Sequence, residues 1–503
     1  VGNIIDDAIA FFSPEKGLKR ALARSRYEMM ADAGYIGASK SRDSMRMWST
    51  GAGSPDTDDL PDLPALRGRS RERYRNAPIV RGAIDTKRYN VIGSGLKLQS
   101  EPKADILGMT SDEAAEWSAK VEFEFGLWAK SRNCDAERMS DFHELQAIAF
   151  ISAMLSGDCF AMLPMIRREG FPYALAVKLY EADFVSNPNG MPDSEKIKGG
   201  VEVKPGGEVV AYHFSKNHPG GNSYANSWVR VPAYGDSSGR RNVIHIIEKT
   251  RPGQKRGVPV LAPVLETLKQ LTDYTNAELT AALVSGLYTV FIKTETGGIP
   301  PSPYDDAEET DTENTIGLGP GAVVGLAPGE SIETSNPGRP NAAFDPFTQS
   351  ILKQIGASLQ VPYELLIKHF SSSYSASRAA LLEAWKAFRT RREWFANQFC
   401  QPVFEAWMDE AVLSGRIAAP GYFDDYAIRA AYCNAKWNGP TPGQLDPIKE
   451  TRAAQMRVEN RFSTRTREAA EINGSDFDQN ALRAIDEEKK MAASRPIETK
   501  GGQ

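Results

Sequence analysis

Apolar and polar positions along this chain follow two periods, and the points where the period changes divide it. Residues 78–90 carry apolar side chains at helical spacing, and Val91–Leu98 follow as a glycine-interrupted strand. Ser111-Asp112-Glu113 is a helix-start signal. The segment it opens sets Trp117, Val121, Phe125 and Trp128 on one face, a stripe that predicts packing on a core. A further helix is expected from Ser140-Asp141 to Gly157. From Asp158 to about Glu248 the pattern turns to strands: Phe160–Met165, Ala174–Tyr180, Val201–Val203, Val209–Phe214 and Val243–Ile247. Pro205-Gly206-Gly207 joins two of them as a hairpin, so one small antiparallel sheet is expected.

Helical spacing returns at Gly257-Val258-Pro259 and runs to about Leu287, roughly 45 Å if continuous. Residues 288–342 are irregular, with short strands at Tyr288–Lys293 and Ala322–Leu326. They hold a Gly/Pro-rich run, Gly297–Pro303, and an acidic run, Asp305, Asp306, Glu308, Glu309, Asp311 and Glu313. A helix over Phe344–Leu359 stops at Pro362. Lys368-His369-Phe370-Ser371-Ser372-Ser373-Tyr374-Ser375 reads as a polar hinge. A long helix over Ser377–Ser414 follows, kinked at Pro402. Its aromatics, Trp385, Phe388, Trp394, Phe395, Phe399, Phe404 and Trp407, predict burial along much of its length. Residues 421–437 are short and mixed, Pro447–Glu459 is helical, and the tail is charged helix.

At the other end, turn formers and acids from Thr50 to Pro64 predict an extended or mobile arm. Arg67, Arg69, Arg71, Arg73 and Arg75 recur at every second position, lining one face of a strand or spreading around a helix. They form either a solvated surface or a contact for an acidic neighbour or DNA.

Composition narrows the class. With 503 residues the chain is expected to hold two to four domains, and 41% apolar with 25% charged residues marks it as globular. A net charge of -5 weighs against a protein that wraps nucleic acid tightly, but not against one that lets DNA slide past. The four cysteines, Cys134, Cys159, Cys400 and Cys433, form no CxxC pair, and reduced thiols are expected. No signal-peptide layout and no apolar run of membrane-spanning length are present.

Catalytic signatures are missing. There is no Gly-Lys dipeptide for a phosphate loop. Gly317-Leu318-Gly319-Pro320-Gly321 precedes a strand, where a dinucleotide site needs a helix N-terminus. His143-Glu144 lacks the second histidine of a zinc protease, since position 147 is Ala. The acidic run has no glycine-punctuated calcium-loop spacing. The expectation is a non-enzyme without cofactor or metal. A nuclease or ATPase is the enzymatic alternative, and a structural protein of another kind the non-enzymatic one.

Several segments occur in a telling order: Val243–Ile247, then Arg256-Gly257-Val258-Pro259-Val260-Leu261, Pro328–Ile332, Gly356–Glu364, Ser371–Arg378 and Glu383-Ala384-Trp385. With Asn76-Ala77, Ser186–Asn189, Trp437 and Asp446–Glu450, the series resembles the lambda-type portal protein family of tailed bacteriophages over residues 65–475. The resemblance implies an α+β, mainly α, portal fold with wing, stem, clip and crown, assembled as a ring of about twelve subunits. It divides the chain into an N-terminal arm (1–64), wing (65–256), first stem helix (257–287), clip (288–342), second stem helix (343–362), tunnel loop (363–376), long helix returning to the wing (377–439), and crown with tail (440–503).

The same resemblance implies a DNA conduit at one capsid vertex, used in genome packaging and ejection. Lys368, His369, Ser371, Ser372, Ser373 and Tyr374 would face the DNA, while Arg378, Lys386, Arg389, Arg391 and Arg392 would meet DNA or a neighbouring subunit. The acidic run would dock partners. Those implied are other copies of the chain, double-stranded DNA read without sequence specificity, large terminase, a head–tail adaptor, and major capsid and scaffold proteins. No membrane is implied, and assembly would take place in the host cytoplasm, the product residing in the virion.

Overall fold

The computed structural model describes residues 11–31, 38, 43–45, 47–48, 50–221, 227–286, 290–294, 330–334, 341, 343–370, 373–444, 446–475 and 477–494. It resolves into two units, Val1–Thr57 and Asp58–Gln503, and the described part is a mainly helical α+β protein. The first unit contains helix α1 (Pro14–Ala31). Helix α2 (Pro55–Asp59) occupies part of the stretch expected to be extended. Ser54 there accepts from the Thr57 N–H at 3.2 Å, and Pro55 fills the first helical position. That Ser-Pro pair is a helix-start signal hidden among turn formers.

Helices α3 (Leu63–Asn76) and α4 (Pro78–Val91) are separated by Ala77, which is extended as the residue before Pro78. The strand expected at Val91–Leu98 starts late. Gly93 and Gly95 have positive φ, and β1 (Lys97–Ser100) pairs antiparallel with the distant segment Ala435–Asn438. After the short α5 (Ala104–Leu107), α6 (Ser111–Ala129) begins on a capping box between Thr110 and Glu113. Helix α7 (Phe142–Ser156) begins on a second box, between Asp141 and Glu144.

The strand region forms two sheets, where one was expected. In the first, β2 (Asp158–Met162) lies between β3 (Lys178–Glu181) and β8 (Val243–Ile247). The second has the order β4 (Ile197–Lys198), β5 (Val201–Val203), β6 (Val209–Ser215), β7 (Trp228–Pro232). All pairings are antiparallel, as expected, and Gly206 and Gly207, both at positive φ, make the β5–β6 turn. Phe160, Val185, Val201, Tyr212, Phe214 and Val243 fill a core of their own.

The helix expected from Gly257 begins later. A 3-10 turn at Ala262–Val264 precedes α8 (Leu265–Gly286), whose 22 residues span about 33 Å. Strands β9 (Val290–Thr294) and β10 (Glu330–Thr334) pair antiparallel, whereas the strand expected at Ala322–Leu326 lies outside the described residues. Helix α9 (Phe344–Leu359) matches its expected bounds. A short α10 (Tyr363–Ile367) takes up the first part of the expected loop, and α11 (Tyr374–Phe395) follows. Where a kink at Pro402 was expected, a π turn, Ala396–Cys400, precedes it, in which the Gln401 N–H reaches back to the Ala396 carbonyl. Pro402 has no N–H to give, and one wide turn absorbs the missing bond. Then come α12 (Gln401–Leu413), α13 (Tyr426–Tyr432), β11 (Ala435–Asn438), α14 (Pro447–Glu459), α15 (Arg465–Asn473) and α16 (Phe477–Ser494).

The main core gathers aromatics from α6, α7, the π turn, α12 and β11. Phe125 makes ring contacts with Trp128, Phe142, Phe404, Trp407 and Trp437. All four cysteines are buried and unbridged. Among the described residues no helix is long and apolar enough to cross a membrane.

Candidate functional site

Two places flank the α8–α9 pair. One is a buried ionic hub at its entry, and the other is the polar hinge at its exit.

The hub is centred on Asp158, the first residue of β2 and fully buried. Arg256 grips it with Nε at 2.7 Å and Nη2 at 3.1 Å, a bidentate pair. Arg67 of α3 donates from Nη2 at 3.2 Å, and the Gly257 N–H donates at 3.0 Å. His245 of β8 contributes Nε2 at 3.2 Å. Burial would raise the Asp158 carboxyl, but Arg256 and Arg67 outweigh it and hold it well below the usual range. Burial pushes His245 down, so its neutral ring donates Nε2–H and stacks on Phe160 at 4.2 Å. The remaining donors of Arg256 go to the Val185, Gly199 and Ala182 carbonyls. Burial, with Arg256 adding to it, lowers Arg67 to about 10. Beside the carboxylate, Gly157 and Gly257 touch backbone to backbone, and a Cβ on either would collide with the other. The hub therefore fixes α3, both sheets and the chain leading into α8 at one point.

This places the arginine series. On a helix the five spread around the axis. Arg67 is in the hub, Arg71 bonds Glu181 and Asp183, and Arg73 donates to Thr272 on α8 at 3.3 Å. Arg69 and Arg75 are exposed. Three of the five thus meet partners within the chain. Neither Asp158 nor His245 was singled out by sequence reasoning. The signal available was an acid at the start of an otherwise apolar strand.

Glu181, Asp183 and His218 form the one group among the described residues with metal-ligand types at metal-ligand spacing. The geometry suits an ion cluster better. Arg71 donates to both carboxylates, and His218 Nδ1 accepts the Gly220 N–H at 3.0 Å. That acceptor role leaves the neutral ring's proton on Nε2, the atom that would have to bind a cation.

At the hinge, Gln360 and Lys368 each end a helix in the left-handed conformation, at φ 54° and 55°. The Lys368 and His369 N–H groups both donate to the Glu364 carbonyl. Lys368, His369 and Phe370 are exposed. Ser373 caps α11, accepting from the Ala376 N–H at 3.4 Å, and Tyr374 is the first residue of that helix. Ser371 and Ser372 lie outside the described residues, as do Asp305, Asp306, Glu308, Glu309, Asp311 and Glu313.

The basic residues of α11 separate into two groups. Arg391 bonds Glu248 at 2.6 Å. Arg392 donates to the Asn90, Val91 and Pro440 carbonyls, and burial lowers it to about 10. Both are engaged inside the chain. Arg378 and Arg389 approach Glu450 and Glu471 at 3.8 Å while half exposed, and exposed Lys386 pairs with Glu383.

A family described as "Phage portal protein, lambda family" matches residues 41–392. Portal protein B of Escherichia phage lambda is 26% identical over 92% of this chain and 91% of its own length. The portal protein of Escherichia phage N15 is 26% identical over 90% and 89%. Among solved structures, a chain of the virion of a native gene transfer agent particle overlays with a TM-score of 0.44 at 12% identity, covering 81% of this chain and 92% of that one.

Proposed function

We propose, since this chain belongs to the lambda family of phage portal proteins, that its copies close into a ring of about twelve subunits around a channel for double-stranded DNA. The observation that carries the reading is the extent of the likeness, which runs through the hub, the α8–α9 pair and the hinge to α11. The ring sits at one capsid vertex and nucleates procapsid assembly, with major capsid and scaffold proteins as partners. Residues 65–256 make its wing, 257–287 and 343–362 its stem, 288–342 its clip, 377–439 the return to the wing, and 440–503 its crown, with 1–64 as an arm. Large terminase and then a head–tail adaptor dock at the clip, on Asp305, Asp306, Glu308, Glu309, Asp311 and Glu313. A charged, weakly apolar surface suits partners that must also leave. The protein catalyses nothing itself. Assembly occurs in the host cytoplasm and the product is a virion component.

The hinge supplies the DNA contact. Exposed Lys368 offers one cation per subunit among hydroxyl and imidazole groups. Each neutralised phosphate adds salt-dependent affinity, and many copies multiply it, so a channel needs few cations. Lys386 and Arg389, exposed on α11, and half-exposed Arg378 meet DNA or the next subunit. Cryo-electron imaging of the purified protein tests this. Rings of about twelve subunits with an axial hole are expected; sheets, tubes or a closed globular dimer would refute it.

A further inference from the structure

Lys87 lies in the last two turns of α4, only 2% exposed, and its Nζ has no hydrogen-bond partner. A buried ammonium without an acceptor is among the costliest groups a fold can hold. Helix α4 packs against α3, α7, α10 and α11, and the last two flank the hinge. Arg392 of α11 ties the seam by donating to the Asn90 and Val91 carbonyls at the end of α4. Arg391, its neighbour, pairs with half-exposed Glu248 just after β8. Among the described residues, those two side chains are the charges that act on Lys87, and none on α3, α7 or α10 does.

We propose that Lys87, Arg391 and Glu248 form a proton-operated latch on the seam between α4 and the helices that flank the hinge. With Lys87 neutral, its amine avoids the cost of a buried charge and the seam is closed. When Nζ takes a proton from solvent, the ammonium needs an anion. Glu248 is the carboxylate within its field, and Arg391 already holds it. The strain is relieved by opening the seam and bringing Lys87 to water. Burial, with Arg391 adding and Glu248 opposing, lowers Lys87 to about 7, so the exchange falls near neutral pH. An opened seam returns it to its ordinary 10.5. Between those values the open form binds more protons, so rising pH closes the seam by up to about tenfold per pH unit. Below that window both forms are protonated and the dependence flattens. The latch does not rest on the DNA-channel reading.

Hydrogen exchange read by mass spectrometry on the full-length protein, corrected for intrinsic rates, tests it. In the wild type, protection of peptides from α4 and α11 should be flat below pH ~6.5 and climb toward tenfold per unit by pH ~8.5. Lys87→Met should be flat throughout, at or above the wild-type high-pH level. Parallel rises in both proteins would overturn the latch, and so would a flat wild type. Should Lys87→Met fail to fold, half-exposed Glu248 carries the test. Glu248→Gln removes the favourable charge and should move the onset to lower pH, and an unmoved onset would also overturn the proposal.

Discussion

The hub and the hinge stand at the two ends of the same helix pair, and they are built in opposite ways. At the entry, one buried carboxylate is met by two arginines, a histidine and a backbone N–H. At the exit, the chain turns through two left-handed non-glycine residues, Gln360 and Lys368, with exposed polar side chains and local backbone hydrogen bonds to the Ala357, Gly356 and Glu364 carbonyls. A buried ion pair contributes little net stability against an apolar substitute, yet breaking it is expensive. The hub thus fixes geometry, because any displacement leaves a charge unmet. At the hinge each local bond can be exchanged for water, and change there costs little.

The sharpest way to break this contrast is Asp158→Asn. It leaves Arg67 and Arg256 buried without a counter-charge, and roughly 3–5 kcal/mol should be lost in urea unfolding. The variant should also lose part of the acid limb of the stability curve. The wild-type carboxylate is held below its usual range, so its contribution is whole above that range and drains as pH falls through it toward the folded value. Removing Arg256 as well, in Asp158→Asn/Arg256→Met, should recover part of the loss, since fewer charges remain unpaired. Next in size is Gly257→Ala, whose methyl would meet the Gly157 backbone. A cost of about 2–3 kcal/mol is expected from the backbone shift it forces. Gly126→Ala is the control. It sits in the last turn of α6, still helical and with open space around it, and should stabilise by about 0.5 kcal/mol.

How far these regions could be read beforehand follows from where their information resides. Local signals sufficed for α6 and α7, which start on capping boxes, for α9, which ends just before Pro362, and for α14, which starts on Asp446 and Pro447. The burial of Phe395, Phe399, Phe404 and Trp407 was legible in the same way. The hub was not, because Arg67, Asp158, His245 and Arg256 come from segments up to 189 residues apart (256 minus 67) and share no motif. The division into two sheets was hidden for the same reason, since nothing local tells β3 to pair with β2 and not with β6. The alternating arginines left one face of a strand and the circumference of a helix equally open, because the period of the segment was ambiguous. A helix gave them separate duties. At the hinge, polarity and serine content marked the place, but a single turn, α10, takes up residues that looked like loop.

A smaller effect separates the two kinds of arginine on α11. Arg392→Met keeps the packing against Trp385 but strips the donors from the Asn90, Val91 and Pro440 carbonyls. About 2 kcal/mol should be lost in thermal or urea unfolding. Lys386→Met removes an exposed partner of Glu383, and no measurable change in midpoint is expected. If Arg392→Met proved as silent as Lys386→Met, the bond pattern at the end of α4 would not be a structural tie.

The smallest effect on stability is expected at Lys368, where stability and the proposed DNA contact should part company. Its φ of 55° is a conformation that glycine adopts without penalty, so Lys368→Gly should leave the thermal midpoint unchanged or slightly raised. The same substitution removes the hinge's one lysine. If the hinge faces DNA, the salt dependence of DNA retention by the assembled ring should become shallower, by up to about one phosphate contact per subunit. Lys368→Asn is the companion variant, since asparagine tolerates the left-handed conformation without carrying charge. Both variants should give the same shallow dependence. If stability holds while DNA retention keeps its wild-type salt slope, the hinge makes no phosphate contact, and the partly or fully exposed cations of α11, Arg378, Lys386 and Arg389, become the ones to replace next.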